Sequence, residues 1–323
     1  MNESGHTLTR RIITHEAAPS AADPWIVAAP GGGWYYCRSG GGAVKVSHSK
    51  NLSDLFTARE RERTVWTPPA GTAYSHELWA PELHFLRGSW YIYVAADDGK
   101  NAHHRMHVLR ATDPADPTAP FEYVGQIGDA TDKWAIDGTV FVWQDELYFV
   151  WSGWEGDVNV AQNLYIAHMS DPTTVDSARV CLSRPELPWE ANCSPKINEG
   201  PAAVVGDGCV RLVYSASGSW LDSYCLGCLS FDGGDVMDPA AWKKSPAPLF
   251  TPVEGSYGPG HCSFAEAPDG RLWIFFHANK VSGSGWRGRS LRMQPVEHWD
   301  GRTLILGRVL SPAEPVEVPV TEE

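Results

Sequence analysis

The chain has no run of about 18 apolar residues of the kind that crosses a membrane as a helix. Its first residues, MNESGHTLTRRIITHEA, hold no apolar stretch of leader length. Basic residues are scarce: 26 Lys and Arg stand against 39 Asp and Glu, a net charge of −13. That balance argues against nucleic acid or an anionic membrane as partner. The seven cysteines, at 37, 181, 193, 209, 225, 228 and 262, are odd in number and irregular in spacing. They do not form a disulfide framework. These absences together lead us to expect a cytoplasmic protein with neither nucleic-acid nor membrane partners.

Long 3.6-residue apolar periodicity is also missing, and the best helical candidate is residues 53–63. Its charge run reads as a solvated face on a surface connection. No P-loop or EF-hand loop occurs. A GxGxxG match at 283–288 precedes a strand-like run rather than a helix, so it does not bind a dinucleotide. Cys225 and Cys228 have CxxC spacing but lie in an apparent strand, where residues three apart face opposite ways. The group His103, His104 and His107 reads as solvated or hydrogen-bonded histidine rather than a metal site.

What the chain does have is a repeat. Short motifs centred on Asp23, Glu82, Asp137, Glu199 and His261 recur at steps of 59, 55, 62 and 62 residues. After each comes a short apolar run, a turn rich in Gly or Asp, and an aromatic or β-branched run. Examples are TVFVW-QD-ELYFVW from 139 and SFAEA-PDG-RLWIFF from 263. That is the sequence form of a β-hairpin. Further strand-like runs bring each unit to about four strands. A period near 60 with four strands per unit predicts an all-β fold, a five-bladed β-propeller. We expect a single domain over 1–323, with 1–20 as an N-terminal extension. Closure of a propeller would gather the five marked residues at one end of a central funnel.

A lone Asp at a strand start most often caps a turn. Four carboxylates and a histidine at matched places in successive units favour a shared site instead. Crowded, buried carboxylates have shifted proton affinities, and two of them flanking a glycosidic bond can hydrolyse it. Most of the 15 tryptophans are expected between blades. Trp25, Trp79, Trp134, Trp151 and Trp220 lie near marked positions and are candidates for a pocket wall.

With these residues in view, the sequence resembles glycoside hydrolase family 43. The motifs are ADPW at 22–25, WAPELH at 79–84, AIDGTVF at 135–141, INEGPA at 197–202, GPGHCSF at 258–264 and GRSLRMQPV at 288–296. The resemblance implies Asp23 as general base, Glu199 as general acid and Asp137 as the carboxylate that tunes the acid. It implies Arg289 near substrate hydroxyls, with Arg292 as the alternative register, and leaves Glu82 to bind a sugar hydroxyl or brace its blade. Trp25, Trp79 and Trp151 are the expected substrate-binding aromatics. His261 matches a channel histidine that in several members holds a buried ion or water, which would be a structural calcium, sodium or chloride held through water. No cofactor is needed for the chemistry.

The wording WAPELH and WAIDGTVF is most like the exo-acting α-L-arabinofuranosidases. The resemblance therefore implies an inverting hydrolase that removes terminal arabinofuranose from α-1,5-linked arabino-oligosaccharides or arabinan. A β-xylosidase, or an enzyme with both activities, is the alternative within the family. A non-catalytic glycan-binding propeller is the alternative outside it. Three crowded carboxylates weigh against that last reading, because they cost desolvation when a sugar binds.

Overall fold

The computed structural model describes residues 8–14, 16–57 and 61–321. Strands dominate, and among the described residues the helical elements are single 3-10 turns such as Leu52–Asp54. The helix expected over 53–63 is not what its described part forms. That part is the 3-10 turn and then the start of the strand Arg63–Trp66; residues 58–60 lie outside the described residues. Leu52, Leu55 and Phe56 are buried and anchor this connection, while the charge run has no apolar face to pack. Among the described residues no helix is long and apolar enough to cross a membrane.

Five antiparallel meanders follow the repeat. The first is Trp25–Ala28, Trp34–Gly40, Ala43–Ser49 and Arg63–Trp66, hydrogen-bonded in that order. The second is His76–Leu86, Ser89–Asp97, Arg105–Ala111 and Phe121–Ile127. The third runs Ala135–Trp143, Glu146–Gly153 and Ala161–Asp171, with Val180–Ser183 outside. The fourth is Lys196–Gly206, Cys209–Ala216, Cys225–Phe231 and Trp242–Lys244. A short parallel pairing of Ala161 and Gln162 with Lys196 and Ile197 joins the third to the fourth.

The fifth meander is Tyr257–Glu266, Leu272–Asn279 and Arg289–Pro295, and its outer strand is Glu16–Ala18. The N-terminal segment is thus no appendage in its described part. Leu8–Thr14 also pairs, with Pro315–Thr321. Residues 1–7 and 15 lie outside the described residues.

Tight turns set the register. Arg87-Gly88 and Gln144-Asp145 join strands with positive φ at both central residues, the geometry whose twist suits a two-residue hairpin. Apolar clusters fill the space between neighbouring sheets. One joins the first and second meanders through Val46, Leu83 and Ile92. Others join the second to the third, the third to the fourth, and the fourth to the fifth. A further cluster joins the first to the fifth through Trp34, Trp273 and Phe275. Burying an aromatic such as Phe275 contributes about 1.5–3 kcal/mol. The leading strand of each meander touches the leading strands of two others, including the first against the fifth.

Candidate active site

The leading strands break register where the marked residues lie. Pairing slips between Ile136 and Thr139, between Glu199 and Ala202, and between Gly260 and Ser263. The backbone is left-handed at Asp23, Ala80, Asp137, Gly200 and His261, with φ of 50, 40, 54, 54 and 49°. Such residues cost about 1–3 kcal/mol each outside glycine, and they re-aim the side chains around them. Gly200 is needed twice over. Its φ is positive, and a Cβ there would lie 3.2 Å from the His261 ring and 3.3 Å from Ser215 Oγ.

These bulges, and the left-handed turn at Asp23, bring Asp23, Asp137, Glu199 and His261 to one cavity of about 670 Å³. Arg289 and Trp79 also line it. Asp23 Oδ1 lies 3.4 Å from His261 Nδ1, 3.2 Å from His277 Nδ1 and 3.6 Å from an Arg289 guanidinium nitrogen. Asp137 Oδ2 is 3.9 Å from His261 Nδ1 and accepts the Gly200 N–H at 3.0 Å. Tyr224 donates its hydroxyl to Glu199 Oε1 at 2.8 Å. The Tyr224 and His277 rings stack with centroids 5.7 Å apart. Ser215 Oγ accepts the His261 N–H at 2.8 Å and holds the last bulge in place.

The carboxylates have opposite proton affinities. Burial alone would raise Asp23, but His261, the His277 hydrogen bond and Arg289 outweigh it and hold Asp23 well below the usual carboxylate range. Burial, then the Asp23 charge, pushes Asp137 up to about 7. Burial, then the Asp137 charge, pushes Glu199 up to about 8 against the Tyr224 hydrogen bond. Burial also lowers His277 to about 4, so it is neutral near pH 7. Its Nε2 is buried without a partner, while its Nδ1 lies 3.2 Å from Asp23 Oδ1 and 3.3 Å from the Asp23 backbone nitrogen. At neutral pH the cavity therefore presents an ionised Asp23 and a protonated Glu199, the protonation states of a base and an acid.

Several expected residues lie elsewhere. Glu82 is buried away from the cavity and bonds His84 Nε2 at 2.9 Å. Glu77 and Ala80 are the left-handed residues of its strand, and Glu82 lies beyond both, buried in the core. Trp25 donates its indole N–H to the Leu83 carbonyl at 2.8 Å and packs against His84. Trp151 is buried between the Phe149 and Tyr165 rings. All three make packing contacts and none lines the cavity. Trp79, Trp134 and Trp220 do line it. Arg289 faces the cavity, whereas Arg292 is fully buried and donates to the Gly255 carbonyl at 3.3 Å.

Sequence reasoning missed His277, Tyr224 and Trp286. A histidine inside the apolar run WIFFHA marks the first; nothing in the sequence singles out the other two.

The other histidines and cysteines are accounted for. His103 bonds Asp98, His104 lies 3.1 Å from Asp97, and His107 bonds the Tyr123 hydroxyl. All seven cysteines are free thiols. Among the described residues no group of three His, Cys, Asp or Glu side chains could hold a metal. Around His261 the Asp23 and Asp137 oxygens stand at ion-pair distances from the imidazole itself. The donor set does not form a protein cage for an ion there.

The chain is 35% identical to an extracellular exo-α-(1→5)-L-arabinofuranosidase of Streptomyces chartreusis, over 80% of each chain. It is 33% identical to a protein of the same name from Streptomyces avermitilis, over 89% of this chain and 61% of the relative. It resembles the crystal structure of an α-L-arabinofuranosidase from Lactobacillus brevis, with a TM-score of 0.84 and 31% identity over 92% of this chain and 97% of that one. The cytoplasmic expectation is overturned, since both Streptomyces relatives are named extracellular. Neither the composition of a folded domain nor its reduced thiols carry the address, which targeting segments supply. The family model for glycosyl hydrolases family 43 matches residues 17–303, and the chain belongs to that family.

Proposed function

We propose that this glycosidase releases terminal L-arabinofuranose from α-1,5-linked arabino-oligosaccharides or arabinan, with inversion. The observation that carries the mechanism is the pairing of an ionised Asp23 with a protonated Glu199 in one cavity. Glu199 protonates the leaving glycosidic oxygen. Asp23 takes a proton from water, which attacks the anomeric carbon from the opposite face. Asp137 keeps the acid protonated through its charge, and the Gly200 N–H holds it in place. His261, His277 and Arg289 keep the base ionised. An ion near His261 would be held through water, and no step is routed through it. The substrate assignment rests on the relatives named for arabinofuranosidase activity.

The five meanders, in this reading, close as a five-bladed propeller forming one domain. Contacts between the first and fifth leading strands, and the cluster joining those two meanders, support closure. The outer strand Glu16–Ala18 supports it too, since it carries the N-terminal chain onto the last meander.

The test is release of free arabinose from linear α-1,5-arabino-oligosaccharides over time, with an aryl β-xyloside in parallel. Arabinose as the sole early product is expected. Turnover of the xyloside alone would replace the substrate, and shorter oligosaccharides appearing first would replace exo with endo action.

A further inference from the structure

At the cavity wall stands an aromatic pair that the chemistry above does not use. Trp286 lines the cavity yet is 59% exposed, an unusual state for so large an apolar side chain. It is held rather than loose. Its indole N–H donates to Ser219 Oγ at 3.0 Å, and its ring meets Trp220 edge to face at 5.9 Å. The loop beneath is pinned by Asp222, which accepts the Gly283 N–H at 2.9 Å and the Ser282 hydroxyl. Gly283 and Gly285 take positive φ, so the chain turns tightly into the 3-10 turn Gly285–Gly288 that carries Trp286.

That turn leads directly into Arg289, which reaches Asp23. The aromatic face is thus fixed to the catalytic base by two intervening residues. The carboxylates occupy the buried part of the cavity, where the sugar being released must bind. An exposed ring on the same wall is placed for the next unit, the one that departs with the glycosidic oxygen. A pentose ring presents an apolar C–H face that an indole covers well, and a pinned ring loses little freedom on binding.

We propose that Trp286, braced by Trp220, is the platform for the leaving-group sugar and sets the preference for oligosaccharides over small glycosides. This inference rests on the glycosidase reading of the cavity. The test compares wild type, Trp286→Ala and Trp286→Phe on α-1,5-arabinotriose and on methyl α-L-arabinofuranoside, which has no second sugar. Trp286→Ala is expected to lower kcat/KM for arabinotriose by roughly tenfold or more, and for the methyl glycoside by less than about threefold. Trp286→Phe restores most of the loss. Equal losses on both substrates, or no loss on arabinotriose, overturn the platform while wild-type turnover keeps the glycosidase reading. A wild type that turns over neither substrate overturns both.

Discussion

The backbone N–H of Gly200 donates to Asp137 Oδ2 at 3.0 Å, so the residue next to the acid is tied to the carboxylate that tunes it. The two belong to neighbouring meanders, and each sits where its strand slips register. The contact sets the separation of Asp137 from Glu199, and with it the strength of their coupling.

Replacing Glu199 by Gln removes the proton donor. Hydrolysis of natural linkages should fall by about 10²–10⁴-fold. Aryl glycosides whose leaving group needs no proton should lose far less. Kinetics on a leaving-group series checks this, and equal losses across the series would remove Glu199 from the acid role.

Asp137→Asn should move the upper limb of the kcat/KM profile to lower pH. Glu199 titrates at about 8 through burial and the Asp137 charge. Without that charge Glu199 loses its proton earlier, and activity declines earlier as pH rises. An unchanged limb would leave Asp137 with a structural role alone.

At the acid end the base is held ionised by His261, His277 and Arg289. Arg289→Ala should raise the proton affinity of Asp23 and shift the acid limb upward, with lower kcat/KM below neutral pH. Lysine would rescue it only in part, since a point charge does not reproduce the guanidinium fork.

Glu199 should also cost stability. An unfolded glutamate titrates near 4.5, and the folded one at about 8. Below pH 4 both states are protonated and there is no cost. Between those values the folded state holds a proton that the unfolded state has lost, so stability falls as pH rises. Glu199→Gln should therefore melt higher than wild type at pH 8, by a few degrees, and not at pH 4. Thermal unfolding at the two pH values measures it.

The repeat was readable because each meander must alternate apolar residues and mark its turns with Gly or Asp. Asp23, Asp137 and Glu199 were readable because each stands beside a motif at matched spacing. Glu82 braces its meander in the core, one of the two places expected for it, and does not line the cavity. Spacing alone cannot tell which residue of WAPELH reaches the cavity, and the structure gives that place to Trp79. Trp25 and Trp151 failed in the same way, since nearness in sequence does not say which face a ring takes.

Pattern and spacing were enough for the successive hairpins, their turns and a set of marked positions that includes Asp23, Asp137 and Glu199 but also the core residue Glu82, because these depend on neighbours along one chain segment. The proton affinities were not. Asp23 is kept ionised by residues 238, 254 and 266 positions away, and Glu199 is kept protonated by a charge 62 positions back. The same side chain is a base or an acid according to what the folded chain packs around it, and that packing comes from contacts between meanders that no single segment contains.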